Sequence, residues 1–133
     1  MQRDPILTTT ALLAIALASF HFAADMTRGF EAGDLGDYAG VLMLAAWLFG
    51  ALALPGQRAG FVLLMLGALL GTVMTLAHMR GAGLGPKFGD TPGGFAYIWS
   101  LVALGITSAF SFALAARGLW RAWRGGPGFA RLS

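Results

Sequence analysis

Residues 59–79 read AGFVLLMLGALLGTVMTLAHM, and no Asp, Glu, Lys or Arg interrupts them. A bilayer core about 30 Å thick needs roughly 20 apolar residues wound as helix. This stretch supplies that length between Arg58 and Arg80. It reads as a transmembrane helix, and three further apolar stretches read the same way. The expected spans are residues 6–27, 38–54, 59–79 and 94–116. Asp4 and Pro5 form a cap and first-turn pair for the first span. Asp37 is the candidate cap of the second, which Pro55-Gly56 ends. Thr91-Pro92 is a start signal for the fourth.

Composition agrees. Of 133 residues, 57% are hydrophobic and 11% charged. A soluble domain carries about 25% charged residues, so too few charges exist here to cover a wet surface. The absence of cysteine excludes disulfides, thiolate metal sites and cysteine nucleophiles. The net charge of +3 is no nucleic-acid footprint, because the basic residues sit at the ends of apolar runs. Ala16-Leu17-Ala18 resembles a signal-peptide cleavage site, but the apolar run continues past it for a full span.

The turn at residues 55–58 is tight, so the second and third spans are antiparallel neighbours. Residues 29–37 form a short loop carrying Glu31, Asp34 and Asp37, read as solvated. Residues 81–93 form a longer loop rich in Gly and Pro, without the fixed spacing of a phosphate cradle. Four spans put Arg3, Arg58, Arg117, Arg121, Arg124 and Arg131 on one side and Arg28, Arg80 and Lys87 on the other. The side richer in basic residues faces the cytoplasm. Tyr38, Phe95, Tyr97 and Trp99 then mark the outer interface, and Trp120 and Trp123 the inner one. The expected fold is all-α and polytopic: one domain over residues 1–133, four transmembrane helices in an up-down bundle, both termini cytoplasmic. Residues 117–133 form a basic tail, in which Arg117, Arg121 and Arg124 suit anionic headgroups or simply fix topology.

In lipid, helices associate through small residues that let backbones approach. The candidate packing positions are Ala14 and Ala18, Ala46 and Gly50, Gly67 and Gly71, and Gly105 and Ala109. Two of these stripes extend into polar residues. Thr10, Ala14, Ala18, His21 and Asp25 share one face of the first helix, and Gly67, Gly71, Met74 and His78 share one face of the third. Such faces should point into protein.

An ionisable group inside a span costs several kcal/mol unless paired or wet. His21, Asp25 and His78 all fall towards the outer ends of their helices. They offer three metal ligands, two axial ligands for a haem iron, or a proton relay. The plainer alternatives are an Asp25–Arg28 pair, an interfacial His78, and a hydrogen bond from His21 to a neighbouring helix. The histidines are expected about two turns apart in depth, which is awkward for a shared haem. Methionines near them suit copper, but also serve membrane cores as gap-fillers. Ser100, Ser108 and Ser111 have no histidine on their helix, and no span holds paired carboxylates, so no hydrolase pattern appears.

The leading expectation is a non-enzymatic accessory or structural subunit, packing in a homo-oligomer or a larger membrane complex. The expected partners are lipid and other membrane subunits or self, with no nucleic acid. The alternatives are a metal- or haem-binding membrane protein using His21, Asp25 and His78, and a small transporter or channel. Small size and abundant Ala and Gly point to a bacterial inner membrane.

Overall fold

The computed structural model describes residues 4–27, 35–80 and 93–124. The described residues form four helices: α1 (Pro5–Thr27), α2 (Leu35–Leu52), α3 (Arg58–Arg80) and α4 (Gly94–Arg124). The expectations on Arg3, Arg28, Glu31, Asp34, Lys87, Thr91-Pro92 and Arg131 lie outside the described residues.

Local chemistry explains the ends. Asp4 Oδ1 accepts from the backbone N–H groups of Ile6 (3.0 Å) and Leu7 (3.2 Å), satisfying two donors that α1 leaves free. Pro5 has no N–H and fits the first turn. Gly56, with φ 75°, makes the turn that brings α3 back beside α2. At Gly60 a side chain would collide with the Leu54 carbonyl, so the chain crosses itself where only glycine fits. Gly93, with φ 81°, precedes α4, and its carbonyl accepts from Tyr97 N at 3.0 Å. α2 begins at Leu35, two residues before Asp37. Asp37 is therefore inside the first turn rather than its cap. α2 also stops at Leu52, short of the expected residue 54.

Three helices are long and apolar enough to cross a membrane: α1, α3 over Arg58–Met79, and α4. At about 1.5 Å per residue, a 23-residue helix such as α1 or α3 reaches about 35 Å. The apolar part of α2, Tyr38–Leu52, is shorter than a span of that kind. Large apolar side chains face outward on every helix, among them Leu13, Phe20, Leu42, Phe49, Leu66, Val73, Ile106 and Phe110. Water would penalise such a coat and lipid does not.

Inside, α3 packs most extensively on α4, and α1 lies against α4 on its other flank. α2 closes the ring between α1 and α3, and its backbone stays clear of α4 among the described residues. The α3–α4 seam is an antiparallel exchange of small for large. Phe61 sits over Gly118, Ser108 over Gly71, and Thr75 over Gly105. Thr75 Oγ1 also reaches the carbonyls of Gly71 (3.0 Å) and Leu101 (3.2 Å), tying the two helices together. Trp47 of α2 lies across Gly67, where any side chain would overlap its indole.

Of the positions expected to pack, Ala14, Ala18, Gly50, Gly67 and Gly71 are buried, and Gly105 is half-buried. Ala46 and Ala109 are exposed. Their neighbours Trp47 and Ser108 take the inward positions. In a chain this rich in Ala and Gly, a four-residue spacing of small residues occurs on outward faces too.

A candidate metal centre at one end of the bundle

α1 and α3 both end, and α4 begins, at the same end of the bundle. There the structure brings His21 and Asp25 of α1, His78 of α3 and Tyr97 of α4 together. His21 and Asp25 lie one turn apart on the small-residue face of α1 and are fully buried. His21 Nε2 is 3.5 Å from Asp25 Oδ2, and His78 Nε2 is 3.6 Å from the same oxygen. The two imidazole centroids are 5.2 Å apart, with the rings edge to face. A nitrogen from each histidine and a carboxylate oxygen all lie within 4.8 Å of one another.

The histidines were expected about two turns apart in depth, and they meet instead. Stagger between α1 and α3 is set by packing, not by distance along the chain from each helix end. Asp25 does not stand free beside the interface either: the residue is 1% exposed, and its carboxylate accepts a hydrogen bond from Tyr97 Oη at 2.6 Å. Tyr97 was expected in an aromatic belt at the outer interface. It is 4% exposed, while its neighbours Phe95 and Trp99 do face outward. The signal for this was present: Tyr97, Ser100, Leu104, Ser108 and Ser111 recur every three or four residues and lie on the buried face of α4.

The hydrogen-bonding inventory leaves a deficit. Both ring nitrogens of His21 and Oδ2 of Asp25 are buried without a hydrogen-bond partner. The separations of 3.5 and 3.6 Å exceed those of good hydrogen bonds. His78 Nδ1 lies 2.9 Å from the Met74 carbonyl, which can only accept, so Nδ1 carries a proton. A neutral His78 then turns the Nε2 lone pair towards the carboxylate. In that state two electron-rich atoms face each other, which either a proton on Nε2, giving an imidazolium–carboxylate pair, or a metal cation between them would reconcile.

Magnitudes sharpen this. One hydrogen bond to a charged group contributes about 1.5–3 kcal/mol. Burying an ionised carboxylate costs several kcal/mol. The Tyr97 bond alone does not offset that cost. Metal–ligand bonds of about 2.0–2.2 Å in a tetrahedron put donor atoms roughly 3.3–3.6 Å apart. The two distances to Oδ2 match that spacing, and the two histidine nitrogens lie within 4.8 Å of each other.

A haem fits poorly. Asp25 fills the space between the histidines, and the Tyr97 ring packs against His21 at 4.5 Å between centroids. A porphyrin would have to lie where these groups are.

At the opposite end, Arg117, Arg121 and Arg124 are all exposed on the last two turns of α4. Arg124 stacks on Trp120 at 4.4 Å, and Arg58 donates to the Ala122 carbonyl at 3.0 Å. Ser108 and Ser111 are buried in mid-bundle on α4, which carries no histidine, and their hydroxyls, like Trp47 Nε1, are also buried without a hydrogen-bond partner. The chain matches no known family model, and no curated protein or solved structure shows significant similarity to it.

Proposed function

We propose that this chain is an integral membrane protein that binds a divalent transition-metal ion through His21, Asp25 and His78. The observation that carries the reading is Asp25 Oδ2, buried without a hydrogen-bond partner and facing the Nε2 atoms of two histidines from different helices. Two imidazoles and a carboxylate form a common ligand set for zinc-class ions.

In the proposed topology all four helices cross, with both termini in the cytoplasm and the metal centre near the outer surface. The short α2 would cross with little tilt, helped by local thinning of the bilayer. A bacterial inner membrane is the proposed setting. Purified full-length protein, loaded with zinc and desalted, should retain about one metal per chain, a stoichiometry that follows from a single three-ligand site. His21→Ala and His78→Ala should each lose it. Metal at background in the wild type would overturn the reading.

A second reading rests on a different observation. Ala109 and Ala113, four residues apart on α4, face outward, as does Ala46 on α2. Small outward residues let another membrane helix approach closely, which favours an accessory role in a homo-oligomer or larger complex. Cysteine cross-linking from Ala109 in native membranes tests it. A discrete cross-linked species supports the reading, and a monomer at all cross-linker concentrations removes it.

A further inference from the structure

The two oxygens of Asp25 have different surroundings. Oδ1 accepts from Tyr97 Oη at 2.6 Å, and Oδ2 faces the histidines with no hydrogen-bond partner. Tyr97 is itself held in place. Its ring packs against His21 with centroids 4.5 Å apart, it is almost fully buried, and its backbone N–H donates to Gly93 in the first turn of α4. The hydroxyl therefore reaches Asp25 from a fixed helix end.

We propose that Tyr97 is a positioning residue of the metal centre, engaging Oδ1 so that Asp25 gives the metal a single oxygen. The proposal rests on the metal-binding reading and narrows its ligand class. A carboxylate limited to one oxygen, beside two imidazoles, suits zinc-class ions, which take few ligands at short distances. It suits calcium badly, because calcium takes six to eight oxygens and commonly a two-oxygen carboxylate. Outer groups of this kind are worth about 10–100-fold in metal affinity.

Cobalt is the probe, because its visible absorption reports both occupancy and coordination number. Full-length protein in detergent is titrated with cobalt, then challenged with zinc or calcium. The wild type should bind cobalt with a four-coordinate spectrum, release it to zinc and keep it against excess calcium. Tyr97→Phe keeps the ring on His21 and removes only the hydroxyl. It should bind cobalt about 10–100-fold more weakly. Its spectrum should shift towards the fainter bands of five-coordination as Oδ1 joins the metal.

The outcomes separate the two claims. A wild type that binds no cobalt overturns the metal reading and this proposal with it. A wild type that binds cobalt, with Tyr97→Phe equal in affinity and spectrum, overturns the positioning role alone. Displacement of cobalt by calcium overturns the selectivity. If Tyr97→Phe loses its helical signal, X-ray absorption of the zinc-loaded wild type decides instead. A single carboxylate oxygen near ~2.0 Å is expected, and a two-oxygen carboxylate contradicts the proposal.

Discussion

The two ends of the bundle handle charge in opposite ways. At one end Arg58, Arg117, Arg121 and Arg124 lie exposed beside Trp120 and Trp123. The Arg124 guanidinium stacks on Trp120, and Arg58 donates to the Ala122 carbonyl. At the other end Asp25 and His21 are buried behind a coat of lipid-compatible side chains. Exposed charge needs no partner, so the arginine end requires only an interface to explain it. Buried charge needs compensation, and the groups packed around Asp25 supply one hydrogen bond and two imidazoles. Burial, rather than the number of charges, marks the end of this molecule where the metal site is proposed.

The largest expected effect breaks the comparison at its centre. Asp25→Ala should reduce metal binding below detection, measured as bound zinc after desalting. It should also abolish the stabilisation that metal confers on the wild type, about 2.7 kcal/mol at a hundredfold excess over the dissociation constant. Arg121→Ala at the opposite end should change neither quantity. Equal losses in the two variants would erase the distinction between the ends.

Next in size is the packing that joins them. Gly67→Val would drive a side chain into the Trp47 indole and should cost about 1–3 kcal/mol in detergent unfolding, the usual range for overpacking. Ala46→Val, on an outward face, should cost close to nothing. A smaller effect is expected at Thr75, whose hydroxyl bonds the Gly71 carbonyl of its own helix and the Leu101 carbonyl across the α3–α4 seam. Thr75→Val keeps the shape and should cost about 0.6 kcal/mol, the average for such bonds in membranes. Smallest is Arg58→Ala, which removes the bond to Ala122 at the exposed end and should shift unfolding by a few tenths of a kcal/mol. A larger loss there than at Thr75 would mean that the arginine end holds the bundle together, and would invert the comparison.

How much of this was legible depended on which physical rule each residue obeys. Helix positions were readable because lipid excludes charge, so runs such as residues 59–79 are bounded by arginines. The inward faces of α1 and α3 were readable because His21, Asp25 and His78 continue the small-residue stripes of their helices. What the chain order does not encode is the stagger between α1 and α3, which decides that His21 and His78 meet. Tyr97 was misread because an aromatic residue near a helix end satisfies two rules at once. Interfacial preference sends Phe95 and Trp99 outward, and helical phase sends Tyr97 inward. Ala46 and Ala109 illustrate the same ambiguity for small residues, where Trp47 and Ser108 occupy the buried phase one position away. α2 began earlier than Asp37 suggested because Leu35 and Gly36 join the helix ahead of the expected cap.

The central claim is that His21 and His78, from helices far apart in sequence, bind one metal ion. Pulsed electron paramagnetic resonance of the copper-substituted protein counts the imidazoles on the metal directly. Two imidazole couplings are expected in the wild type, and neither His78→Ala nor His21→Ala should show that two-imidazole signal. A wild-type signal with a single imidazole, or one unchanged by either replacement, would contradict the account.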